Sequence, residues 1–148
     1  MLKLLAVFCI HGTIHAGSNN VDLPPINERY WIHILHQASP ADELTLHCKS
    51  DDNDLGWQHL TEGQEFQWSF KMSVWNNTVF YCSFYLRDLT QFFDAFRNSL
   101  RMFCGHHCYW SVRENGFFLS GDNYTYHKRH DWEHGHGRLS VSAHQLTV

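Results

Sequence analysis

The chain has 148 residues, a formal net charge of −4 with histidine neutral, 16% aromatic and 18% charged residues. That length suits one domain with a real core, and so many aromatics exclude a disordered chain. With no basic surplus to neutralise phosphates, nucleic acid is not an expected partner.

The N-terminus reads as a secretory signal peptide. Lys3 supplies the basic residue, Leu4 to Ile10 an apolar run, and Ala16, Gly17 and Ser18 the small residues of a cleavage site. The signal occupies 1–16, with cleavage after Ala16 or Ser18. No later segment carries the ~18 apolar residues of a membrane span, so no span remains once the signal is removed. Residues 17–29 are polar, hold Pro24 and Pro25, and form an extended lead-in.

From residue 30 onwards come short runs with period-two alternation. Ile32 and Ile34 share one face of the first run. Leu44, Leu46 and Cys48 share a face of the second, with Thr45 and His47 pointing away. Phe66, Trp68 and Phe70 alternate with Gln67 and Ser69, and Phe80, Cys82 and Phe84 align in the next run. From Leu86 to Phe103, the spacing of Leu89, Phe92, Phe93 and Phe96 fits a helix as well as a strand. Runs at Tyr109 to Val112 and Phe117 to Leu119 flank Asn115-Gly116, which predicts a hairpin with positive φ at both turn residues. Six or more short strands with regular turns predict an all-β fold, a mainly antiparallel β-sandwich. Its expected core holds Ile32, Ile34, Leu46, Phe66, Trp68, Phe70, Phe80, Phe84, Trp110 and Val112, one inward face per strand.

Of five cysteines, Cys9 leaves with the signal. Cys48, Cys82, Cys104 and Cys108 remain in an oxidising compartment, which predicts two stabilising disulfides. The expected pairing is Cys48 with Cys82, supported by face parity, and Cys104 with Cys108. A crossed pairing stays open, because parity does not say which strands are neighbours. The sequons at Asn76 and Asn123 are expected glycan sites. Residues 127–148 form a His-rich extension carrying His127, His130, His134, His136 and His144, expected to be mobile.

Taken together, four segments resemble one family. They are His47-Cys-Lys-Ser-Asp-Asp-Asn-Asp-Leu-Gly56, Gly63-Gln-Glu-Phe-Gln-Trp-Ser-Phe70, Thr78-Val-Phe-Tyr-Cys-Ser-Phe84, and Cys104 to Trp110 followed by Glu114-Asn-Gly116. Their order over residues 31–126 is similar to that of the plant self-incompatibility proteins, the S-protein homologues. The resemblance implies a domain over 30–126 that is secreted and small, a β-sandwich with two disulfides. It further implies an extracellular ligand for a cell-surface receptor, in cell–cell signalling of the self-incompatibility type. The His-rich extension has no counterpart in that pattern.

Asp51, Asp52, Asn53 and Asp54 suggest a cation loop, but an EF-hand register started at Asp51 places Leu55 at its fifth position. They read instead as a solvated loop between strands and, with Asn115 and Gly116, as candidate recognition loops. Cys104-x3-Cys108 with His127 and His130 superficially resembles a zinc site, yet secretion favours disulfides over thiolate ligands. No metal and no cofactor is assigned. The His-rich tail supports an alternative, a secreted metal-binding or defence protein. The chain has no Gly-x-Ser-x-Gly elbow and no Gly-rich phosphate loop, and bridged cysteines are not nucleophiles, so no enzyme is expected.

Overall fold

A computed structural model describes residues 28–72 and 78–135. The signal segment, most of the lead-in, Asn76, and the tail from residue 136, with His136 and His144, lie outside the described residues. Ten strands follow in chain order: β1 (Arg29–His36), β2 (Leu44–Lys49), β3 (Asp54–Leu60), β4 (Glu65–Lys71), β5 (Phe80–Leu86), β6 (Leu89–Phe96), β7 (His107–Arg113), β8 (Gly116–Ser120), β9 (His127–His130) and β10 (Glu133–His134). A four-residue helix, α1 (Arg101–Cys104), precedes β7.

The strands form two five-stranded sheets, ordered β4-β1-β7-β8-β9 and β10-β6-β5-β2-β3. All pairs are antiparallel except β1 with β7. The fold is therefore the expected mainly antiparallel sandwich. Alternation places Ile32 and Ile34, Leu44 and Leu46, Phe80 and Phe84, and Trp110 and Val112 between the sheets, all buried. Phe66, Trp68 and Phe70 of edge strand β4 are only half-buried, packed against that core from its margin. An edge strand has a neighbour on one side only, which leaves its inward side chains partly open.

The stretch that fitted two periodicities is mostly strand. β6 pairs with β5 in a register that shifts between Phe80 and Tyr81, so that Phe80 faces Phe96 while Tyr81 faces Asp94. The extra residue of such a bulge breaks strict alternation, which is why inward residues mimic helical spacing. Among the described residues only Arg101–Cys104 is α-helical.

Two disulfides are present, Cys48–Cys82 and Cys104–Cys108. Cys48 and Cys82 sit directly opposite in the β2–β5 ladder, with Cα atoms 4.1 Å apart. That spacing is typical of the closer, non-hydrogen-bonded antiparallel pair.

Two boundaries differ from expectation. The β7–β8 turn is formed by Glu114 and Asn115, with Arg113 paired to Gly116. Of these residues Gly116 alone has positive φ, at +126°, so the turn is not the one expected from Asn-Gly. A Cβ on Gly116 would lie 2.3 Å from the carbonyl oxygen of His130, so close approach as well as backbone angle demands glycine. The sheets also continue past residue 126. The first residues of the His-rich stretch form β9 on the edge of β8, and Glu133–His134 pair with β6.

Candidate functional site

The acidic loop leaves β2 directly after the Cys48–Cys82 bridge. The Ser50 amide donates to the Asn53 carbonyl at 2.7 Å, and the Asn53 amide donates to Ser50 Oγ at 3.2 Å. This closed turn displays Asp51, Asp52 and Asn53 to solvent. Asp54 is exposed too but is engaged. Its Oδ1 accepts from His47 Nε2 at 2.6 Å and from the Gly56 amide at 2.8 Å. The His47 bond first, then the Gly56 amide, hold its carboxyl below the usual range. The loop therefore offers Asp51 and Asp52 outward while Asp54 ties it to the sheet.

The Asn115–Gly116 hairpin lies at the other end of the sandwich. Glu114 beside it accepts from Arg87 Nη2 at 2.6 Å and from the Ser39 amide at 3.0 Å. Arg87 sits in the β5–β6 turn, next to the start of β2, whereas the acidic loop follows the end of β2. The two candidate loops are thus not brought together. Asn115 is exposed and Gly116 is buried.

The second sequon occupies the β8–β9 connection. Asn123 is exposed with φ +58°, and its Oδ1 accepts from the Tyr126 hydroxyl at 2.6 Å. Asp122 organises the turn, accepting from Ser120 Oγ and from the amides of Tyr124 and Thr125. Those bonds, Ser120's foremost, depress its carboxyl far below the usual range. Beside this turn an open groove is lined by Met102, Phe103, Leu119 and Arg129, with the Arg129 guanidinium 4.2 Å above the Phe103 ring.

Sequence reasoning missed a cluster on the outer face of the first sheet. His33 Nδ1 meets Glu65 Oε1 at 2.6 Å, and His33 Nε2 meets His107 Nδ1 at 3.2 Å. Glu65 accepts from His33 Nδ1, while the direction of the His33–His107 bond follows the tautomers of the two rings. Trp31 stacks on His107 at 4.7 Å and Tyr109 on His33 at 4.3 Å. Desolvation first, then the charges of His33 and His106, lower the His107 pKa. Alternation already turned Trp31 and His33 outward. Their meeting with His107 depends on the parallel β1–β7 pairing, for which the sequence carries no local signal. Among the described residues no group of three or more His, Cys, Asp or Glu is arranged to hold a metal. No described helix is long and apolar enough to cross a membrane.

Comparison with known proteins agrees with this architecture. The family model described as plant self-incompatibility protein S1 matches residues 31–132. S-protein homolog 19 of Arabidopsis thaliana is 34% identical over 110 residues, covering 74% of this chain and 75% of the relative. Self-incompatibility protein S1 of Papaver rhoeas is 28% identical over 91 residues, covering 59% and 65% respectively. A solved structure from the self-incompatibility protein homologues, described as small, highly stable, secreted plant proteins, superposes with a TM-score of 0.59 at 21% identity. It covers 72% of this chain and 96% of that one.

Proposed function

Because the chain belongs to the plant self-incompatibility protein S1 family, we propose that it is a secreted ligand, recognised at the surface of another cell in signalling of the self-incompatibility type. The observation that carries this reading is the closed Ser50–Asn53 turn. It holds Asp51 and Asp52 outward immediately beyond a disulfide that ties β2 to β5. A preorganised polar loop on a rigid frame loses little conformational freedom on binding, which favours recognition. The signal-like segment at 1–16 supplies the route outside the cell, and the sequons are acceptor sites along it. Asn123 is a fitting glycan acceptor, since its Oδ1 is held by Tyr126 while Nδ2 remains for attachment in an exposed turn. Glycan is proposed at Asn76 as well, and glycosidase treatment of secreted protein is expected to lower its mass.

The test applies labelled secreted protein to living plant cells. Saturable surface binding is expected. An Asp51→Ser/Asp52→Ser double variant should melt like the parent yet bind roughly tenfold more weakly. Retention of the protein inside expressing cells, absence of saturable binding, or equal binding by the double variant would overturn the proposal.

A further inference from the structure

Solvent-facing sheet surfaces ordinarily carry polar side chains. The outer face of the β10-β6-β5-β2-β3 sheet carries rings instead. Trp57, His47, Ser83 and Phe92 stand opposite one another in a single row across β3, β2, β5 and β6. Three strand spacings make that row about 14 Å long. Tyr85 occupies the next row, opposite Thr45 and Thr90, and Tyr81 the row on the other side, opposite Lys49 and Asp94. Trp57, Tyr85 and Phe92 are 56%, 40% and 60% exposed, so the rings are offered to solvent rather than to the core. They fall in two groups with Ser83 between them. Trp57 lies 4.8 Å from His47 and 5.9 Å from Tyr85, and Phe92 meets Tyr81 edge-on at 5.8 Å. Single exposed rings are ordinary, whereas several grouped on one sheet face mark an interaction surface.

The charge around this patch specifies its occupant. Asp51, Asp52 and Asp54 stand at one margin and Glu43 at another, with Glu43 Oε1 3.0 Å from His59 Nδ1. Lys49 lies beside them, its ammonium 5.5 Å from the Tyr81 ring. Arg87 and Arg97 at the rim are engaged with Asp42 and Glu114, and with Asp94. An aromatic centre with a surplus of carboxylates at its margin complements a cation that also stacks. Arginine does both, lying flat on an indole while its N–H fork meets a carboxylate. Anionic lipid headgroups would be repelled by the same margin.

We propose that this face docks a basic segment of a partner protein, with an arginine seated on Trp57 and an apolar side chain beside Phe92. The inference rests on the extracellular-ligand reading and names the partner chemistry of that reading at one surface.

The experiment titrates the full secreted chain, followed by two-dimensional NMR, with a short synthetic peptide carrying arginines and one aromatic residue. Three further probes are the same peptide with glutamate for arginine, a neutral oligosaccharide, and anionic phospholipid vesicles. Saturable shifts of the Trp57 indole and of β2, β3 and β5 amides are expected with the arginine peptide, weakening as salt rises. A Trp57→Ala/Phe92→Ala variant changes two exposed side chains. It should keep its spectrum elsewhere while losing roughly tenfold or more in affinity. Asp51→Asn/Asp52→Asn should flatten the salt dependence. Absent shifts, shifts outside this face, or preference for any of the other three probes would overturn the inference. No plant cell enters the titration, so its failure leaves cell-surface binding standing, and failure of cell-surface binding leaves the titration standing.

Discussion

Trp110 and Trp68 face the same interior with different hydrogen-bond fates. Trp110 is buried, and its indole N–H donates to the Ala95 carbonyl at 2.9 Å, joining β7 to β6 across the sandwich. Trp68 Nε1 is also shielded from solvent but has no partner among the described residues. An orphaned buried polar group costs about 1–3 kcal/mol, so removing a donor that has no partner costs far less than stranding an acceptor that had one. Trp110→Phe is therefore expected to lower stability by about 2–4 kcal/mol, the stranded Ala95 carbonyl adding to the cavity. Trp68→Phe should cost about 1 kcal/mol or less, since it removes the orphan. Denaturant midpoints at unchanged slope check the pair, and equal losses would contradict it. Both tryptophans were legible as inward-facing from alternation alone. Their partners were not, because a side-chain bond to a carbonyl on the opposite sheet leaves no trace in local sequence.

At the scale of elements, the two disulfides do different work. Cys48–Cys82 closes a sequence separation of 34 and Cys104–Cys108 one of 4. In the loop-entropy model the first restricts the unfolded chain by about 3.5–4 kcal/mol and the second by about 2. Replacing Cys48 and Cys82 by serine should cost roughly that larger amount, and replacing Cys104 and Cys108 no more than the smaller. Chemical denaturation of both double variants decides it, and the reverse order would sink the entropic account. The first pairing was legible because each cysteine shares parity with apolar neighbours on its own strand. The parallel β1–β7 contact was not, since period-two patterns carry no direction. Nor was β6, where Phe92 opposite Ser83 lies on the outer face and Phe93 opposite Cys82 is buried, while the bulge at Ala95 turns both Ala95 and Phe96 inward. The same ambiguity hid the aromatic face, because a stretch that fits both a helix and a strand gives Phe92 no assigned side. The turn at Glu114–Asn115 was misplaced by one residue because Asn-Gly also serves when glycine is needed for close approach to His130.

Across the whole molecule, the resolved titration shifts of histidines and carboxylates point the same way with pH. His130 stacks on Phe93 at 4.2 Å, and burial first, then the Arg129 charge, lower its pKa. His107 is lowered by burial and by its histidine neighbours. For a histidine with a depressed folded pKa, the unfolded chain binds the proton more readily. Its contribution is fully present above the unfolded value of about 6.5 and is lost as pH falls through the folded value. Glu28, Asp54 and Asp122 are depressed by hydrogen bonds, to His106, His47 and Ser120 foremost. Their contributions are present above the ordinary carboxylate value of about 4 and are lost below it. Acidification should therefore reduce stability in two separate windows, the upper one belonging to histidine. His130→Phe keeps a ring against Phe93 while removing the titration, so it should flatten stability between about pH 7 and 5. It should leave the steeper loss below about pH 4 unchanged. Asp122→Asn should act in the lower window alone, since it alters the Ser120–Thr125 turn without touching either histidine. Denaturant unfolding repeated across that pH range reads both effects. A parent protein equally stable at pH 7 and 5, or a His130→Phe variant with the parent's slope there, would refute the histidine assignment.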